Sequence, residues 1–332
     1  MKSQCVVLGG GGFVGQPLCA ALIERGFVVR SLSRQGHPGR LIHPTLDQVE
    51  WVAGTIGSNI CRRVLEGAEH VFHLASTTLP ASSNEDMVFD LESNTLATLR
   101  MLQDLAGSTA RIYFLSSGGT VYGVPTTPVI AETHRTEPIC AYGVHKLAIE
   151  KYLGLLRYQN KLASIILRPS NIYGETQNQR SPLGAVLHFA RHAIEGTPIE
   201  IWGDGTVVRD YIHVEDVVGA ILAAMKYAGR KAIFNIGSGQ GTSLNDLVRH
   251  LQILLGRNID VRYSSARSFD VPVNILDITL GTCELNWKPG VSLEVGLHRA
   301  LTQLERERMQ VVKCRVCGAE SYGEPIGGSN CL

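Results

Sequence analysis

The stretch Cys5-Val6-Val7-Leu8-Gly9-Gly10-Gly11-Gly12-Phe13-Val14-Gly15-Gln16-Pro17-Leu18 decides the fold. A short β-rich apolar run ends at Gly9, and from Val14 to Arg25 the apolar residues take helical spacing, so the glycines form the turn between a strand and a helix. Gly9, Gly12 and Gly15 stand in a G-x-x-G-x-x-G pattern. The first two let the backbone turn tightly and approach a pyrophosphate, whose charge the helix N-terminus favours; the third allows close helix–strand packing. This reads as a dinucleotide site. A signal peptide or membrane span would be equally apolar, but four consecutive glycines, Gln16 and Pro17 interrupt the stretch.

Outward from that turn, strand-like runs at Phe27–Leu32, Val49–Val52, His70–Ala75, Arg111–Ser116 and Ala163–Arg168 alternate with helical patterns. The helices fall at Ile60–Glu66, Asp86–Leu105 and Tyr142–Gln159. Such alternation predicts an α/β protein with a Rossmann-type, doubly wound parallel sheet covered on both faces, and a smaller, mostly C-terminal substrate lobe. The dinucleotide domain takes residues 1–170, with a return to it near 207–237 that includes a strand at Ala232–Gly237. The lobe takes 171–312, with a helix near Leu183–Glu195, and 313–332 reads as a flexible tail rich in Gly and Ser.

The 332 residues suit about two domains at the usual size. With 31 Lys and Arg against 30 Asp and Glu, the formal charge is +1, which offers no field for nucleic acid or an anionic membrane, so neither is expected as a partner. An anionic ligand must be held locally. Most of the eight cysteines sit inside apolar runs and read as reduced, buried residues of a cytoplasmic protein.

An NAD site places an acidic residue at the end of the second strand to hold the ribose 2′-hydroxyl. Here Ser33 and Arg34 occupy that place. A hydroxyl and a guanidinium suit a 2′-phosphate, so NADP is the preferred cofactor and NAD the other choice.

Tyr142 and Lys146 open a long helix at i and i+4, on one face. An ammonium and an oxidised nicotinamide lower a phenol's pKa from ~10, which makes the tyrosine an acid/base near neutrality. Upstream, Ser116-Ser117-Gly118-Gly119-Thr120-Val121-Tyr122-Gly123 follows a strand end on the cofactor side, where a loop hydroxyl can bond the reacting oxygen.

Together these motifs resemble the extended short-chain dehydrogenase/reductase family, in its NAD(P)-dependent, UDP-glucose 4-epimerase-like sugar-nucleotide epimerase/dehydratase branch. His73-Leu74-Ala75, Arg168-Pro169-Ser170-Asn171-Ile172-Tyr173-Gly174 and Gly205-Thr206-Val207-Val208-Arg209-Asp210-Tyr211-Ile212-His213 carry the resemblance over about residues 3–310. It implies that Tyr142 exchanges the proton of the sugar 4-hydroxyl and that Lys146 binds the nicotinamide ribose. Phe13, Val14, Leu74, Ala75 and Pro169 then line the cofactor, and Asn171, Arg209 and Arg267 contact the diphosphate and nucleotide of a nucleotide-diphosphate sugar. A homodimer is the implied assembly.

Two departures stand out. The epimerases carry the loop hydroxyl three residues before Val-Tyr-Gly, where this chain has Gly118, so either Ser117 or Thr120 supplies it or it is absent. The Asp-Glu pair of the 4,6-dehydratases is replaced by Gly119 and Thr120, which removes the acid and base of dehydration. The expected activity is a nucleotide-sugar 4-epimerase. The alternatives are an NADPH-dependent reductase of an NDP-4-keto-6-deoxy sugar and a non-catalytic dinucleotide sensor. His73 reads as a packed imidazole rather than a base, and Glu305–Arg308 as a solvated helix end. Cys314 and Cys317 have zinc spacing, but with only Cys331 beside them no metal site is expected.

Overall fold

The computed structural model describes residues 3–177, 184–265 and 271–317, with side chains as far as residue 309. The first half runs β1 (Gln4–Leu8), α1 (Gly15–Glu24), β2 (Val28–Ser33), β3 (Glu50–Ala53), α2 (Asn59–Leu65), β4 (His70–His73) and α3 (Met87–Asp90). A π-helical segment, Leu91–Leu96, joins α3 to α4 (Ala97–Leu105); β5 (Arg111–Leu115), α5 (Ala141–Tyr158) and β6 (Ala163–Pro169) follow. The second half runs β7 (Asn171–Tyr173), α6 (Ala185–Glu195), β8 (Ile199–Trp202), β9 (Val208–His213), α7 (Val214–Lys226) and β10 (Ile233–Ile236). It continues with β11 (Gly241–Ser243), α8 (Leu244–Leu255), β12 (Val261–Ser264), β13 (Val273–Asn274), α9 (Thr279–Leu285) and α10 (Leu293–Cys317).

Seven parallel strands form the main sheet in the order β10-β6-β5-β4-β1-β2-β3. Successive residues of β1 enter different cores: Cys5 and Val7 pack with α1 and α7 on one face, Val6 and Leu8 with α2, α4 and α5 on the other. A strand buried on both faces must be apolar throughout, and β1 is. Strand order reverses between β1 and β4, which opens a crevice at their carboxyl ends.

The second lobe packs α6, α8 and α10 over the paired β8 and β12 around a third core that includes Phe189, Ile201 and Leu251. Between the lobes, β9 pairs with β7, β11 and β13. The chain then goes back: α7 packs against α1, and β10 adds itself beside β6 with Ile233 opposite Ile166.

Three details differ from the sequence reading. The helix expected from Leu183 starts at Ala185, because Gly184 has φ +87°; residues 178–183 lie outside the described residues. The tail expected from 313 is helical as far as Cys317, while 318–332 and the side chains of Cys314 and Cys317 lie outside the description. Cys5, Cys19 and Cys61 are free and buried, but Cys140 is half-buried and Cys283 is exposed on α9, where only one helix face meets the core. No helix among the described residues is long and apolar enough to cross a membrane.

Candidate active site

The glycine turn is shaped by what a side chain would hit. Gly9 has φ +89°, and a Cβ there would lie 3.0 Å from the Ala75 nitrogen at the end of β4. At Gly15 a Cβ would come within 2.3 Å of the Gly9 carbonyl, so α1 can pack this closely on the turn only with glycine. Gly12 is exposed and meets only the Gly9 oxygen, at 3.2 Å. Val14 precedes the helix without a side-chain cap; Gln16 donates its N–H to the Gly12 carbonyl at 3.0 Å and Pro17 has none, so the turn offers a ligand bare backbone rather than those helix N–H groups. That cradle fits a dinucleotide pyrophosphate. A cavity of about 980 Å³ opens next to it, lined in part by Gly11, Gly12, Phe13, Arg40 and Gln177; no residue of α5 reaches it.

The other expected cofactor residues surround this turn in different ways. Leu74 donates its N–H to the Leu8 carbonyl at 3.0 Å, Phe13 is half-buried, and the Val14 side chain belongs to the core. Pro169 ends β6 and accepts the Gly118 N–H at 2.8 Å. At the end of β2, the Ser33 hydroxyl donates to the Gly36 carbonyl at 2.8 Å, while Arg34 is exposed.

At the start of α5, Cys140 offers no side-chain cap. The loop after β4 does so instead: Ala141 N–H donates to Asn84 Oδ1 at 2.8 Å and Tyr142 N–H to Ser83 Oγ at 3.0 Å. Lys146 is buried; its Nζ donates to the Leu115 carbonyl at 3.0 Å and lies 5.5 Å from the centre of the Tyr142 ring. Burial lowers the lysine to about 8, opposed by the charges of Glu150 and Asp90. The expectation of a lowered Tyr142 is corrected for the protein's own groups: burial, with Cys140 and Asp90, pushes the phenol above its usual value.

Gly118 has no space for a side chain. A Cβ there would sit 2.6 Å from Leu276 Cδ1 and 3.0 Å from the Arg168 carbonyl, and Asn274 Nδ2 donates to the Gly118 oxygen at 3.2 Å. The neighbouring loop faces elsewhere: a Cβ on Gly119 would lie 3.4 Å from Asn171 Oδ1 and 3.9 Å from Ser117 Oγ. Ser117 is half-buried, whereas Thr120 Oγ1 is buried with no hydrogen-bond partner. Ser117 and Asn171 are therefore brought together, and Thr120 lies deeper.

Arg209 lies on β9, its Nη1 donating to the carbonyls of Val208 at 2.9 Å and Val271 at 2.5 Å. It makes no surface pair with Asp210, whose buried carboxylate accepts from Ser170, Ser238 and the Gly239 and Leu276 N–H groups. Arg267 lies outside the described residues. His73 is buried, 2.8 Å from Thr98 Oγ1 through Nε2, and burial lowers it to about 3, as a packed imidazole should be. Among the described residues, no group of three or more His, Cys, Asp or Glu side chains is placed to hold a metal.

Sequence reasoning missed two buried clusters. Glu150, one turn after Lys146, accepts from Ser116 Oγ at 2.5 Å and from Arg168 Nε and Nη2 at 3.0 and 2.5 Å; Arg168 also donates to Tyr122 OH at 2.9 Å. Asp90 and His145 form the second. A carboxylate four residues after Lys146 on a buried face was the available signal for the first; the second unites residues too far apart in sequence to suggest one another.

The NAD dependent epimerase/dehydratase family matches residues 5–237. The dTDP-4-dehydro-6-deoxyglucose reductase of Escherichia coli is 30% identical over 313 residues, 91% of this chain and 98% of that protein. The structure of a UDP-glucose 4-epimerase from Thermotoga maritima with UDP-glucose is similar at a TM-score of 0.86 and 32% identity, over 92% of this chain and 99% of that one. A Thermus thermophilus UDP-glucose 4-epimerase in complex with NAD gives a TM-score of 0.82 at 26% identity, over 91% and 99%.

Proposed function

The chain belongs to the NAD dependent epimerase/dehydratase family, and from that premise we propose that it is a nucleotide-sugar 4-epimerase. The observation that carries the reading is Tyr142 above a buried Lys146, at the cofactor side of a sheet whose glycine turn fits a dinucleotide. When bound, the cofactor supplies a reversible hydride sink and, while oxidised, a positive charge that helps lower the phenol's pKa. Tyr142 takes the proton of the sugar 4-hydroxyl as C4 becomes a ketone, and returns it after the keto sugar has turned. Lys146 holds the nicotinamide ribose and favours the phenolate. The Ser117 hydroxyl steadies the reacting oxygen, while Asn171 and Arg209, with Arg267, hold the sugar diphosphate; a guanidinium matches a phosphate oxygen pair.

NADP is the favoured cofactor over the NAD seen with a relative, since Ser33 and Arg34 replace an acidic residue. A tenfold preference corresponds to ~1.4 kcal/mol. The assembly is a homodimer. The packed α3, the π-helical segment after it and α5 expose Met87, Val88, Phe89, Leu91, Val144 and Leu155, apolar side chains suited to a second copy of the chain.

The test is turnover. Purified protein should interconvert UDP-glucose and UDP-galactose without added reductant, and calorimetry should show tighter NADP than NAD. A second reading, reduction of an NDP-4-keto-6-deoxy sugar, draws on the similar reductase and on Ser33 and Arg34. It predicts stoichiometric NADPH consumption with dTDP-4-keto-6-deoxyglucose and no interconversion. Dinucleotide binding without turnover of UDP-glucose, UDP-glucuronate, UDP-N-acetylglucosamine or the keto sugar would favour a dinucleotide sensor.

A further inference from the structure

Asp90 ends α3 at the point where the helix widens into its π-helical segment, and it is buried against α5. Its carboxylate accepts from His145 Nδ1 at 2.8 and 3.0 Å, from Thr78 Oγ1, and from Asn94 Nδ2 at 3.3 Å. An ionised carboxylate only accepts, so the proton of neutral His145 resides on Nδ1. The His145 ring, itself buried, meets the Tyr142 ring in a T-shaped contact with centroids 5.0 Å apart. One buried carboxylate is thus joined through one imidazole to the reacting phenol.

Burial and the Lys146 charge hold His145 down at about 4, so near neutrality the imidazole is neutral and carries the one proton that Nδ1 gives to Asp90. Glu150, on the same helix, is matched instead by the Arg168 guanidinium, through two hydrogen bonds.

We propose that Asp90 and His145 are positioning residues of the acid–base site: Asp90 pins His145 through Nδ1, and the pinned imidazole braces the Tyr142 ring. This rests on the reading that Tyr142 and Lys146 perform the chemistry. Its physical core, however, can be observed without turnover. Asp90→Asn keeps the size of the side chain, but an amide can donate as well as accept, so Nδ1 is no longer held to one role. His145→Gln removes the ring, so kcat should fall about tenfold, the scale of a lost aromatic contact, with KM kept.

The decisive measurement is the ¹⁵N-histidine spectrum of the full chain. A proton on His145 Nδ1 supports the pinning, even if no nucleotide sugar is turned over, and a proton on Nε2 overturns it. In turnover, a lowered kcat with KM kept in His145→Gln supports the brace, and an unchanged kcat overturns it.

Discussion

Gly118 is where family pattern and local packing disagree. The epimerase hydroxyl belongs at this position, yet Leu276 and the Arg168 carbonyl occupy the space a side chain would need. Gly118→Ser should therefore restore the family residue without restoring function: we expect about 1–3 kcal/mol lost in chemical denaturation, the usual cost of overpacking, and no gain in kcat. Ser117→Ala should lower kcat strongly and Thr120→Ala weakly, because the Ser117 hydroxyl and Asn171 both border the space beside Gly119 while Thr120 Oγ1 is buried; equal effects would reassign the hydroxyl. Tyr142→Phe removes the proposed proton carrier and should cost about 10²–10⁴ in turnover with cofactor affinity kept, measured by single-turnover kinetics and calorimetry. At this scale the sequence was legible where spacing or one residue type decides the placement, as in the nearness of Tyr142 and Lys146 and the close packing at Gly15. It was silent where a neighbour decides: that Gly118 has no space depends on Leu276, far along the chain.

Among the elements, α5 had both its helical spacing and the shared face of Tyr142 and Lys146 written locally, and Tyr142–Gln159 was read nearly to its ends. What steadies its first turn was not local. Ser83 and Asn84 come from a loop near the start of α3, and nothing in a polar Ser-Ser-Asn run announces which N–H groups it will meet. Ser83→Ala should cost about 1 kcal/mol, as lost N-caps do, and should lower kcat as the turn holding Tyr142 frays; thermal denaturation and turnover check the two parts. On β4, His73 links stability to pH. Unfolded, it takes a proton near ~6.5; folded, only near about 3. The unfolded state binds more protons between those values, so stability falls as pH drops from 6.5 toward 3. His73→Gln should flatten that acid slope in Tm against pH, though not abolish it, since His145 is also held low.

In the whole molecule, the exposed apolar residues of α3, its π-helical continuation and α5 give the assembly prediction. Phe89→Asp together with Leu155→Asp should convert a dimer into a folded monomer in sedimentation; a parent that is already monomeric would refute it. The doubly wound sheet was readable because strand–helix alternation admits few topologies, and even the return of β10 showed as an isolated apolar run. The pairing of β7, β9, β11 and β13 was not: strands this short carry too little period to be told from loops. The late arrival of β10 has a consequence in time. While the chain is being synthesised, β6 is a finished strand without its outer neighbour, and the neighbour emerges only after the first elements of the second lobe have been made. At the ribosome's ~5–20 residues per second, that edge stays open for several seconds. Val- and Ile-rich strands with open edges recruit other chains, so this is the interval in which a nascent chain most needs a chaperone.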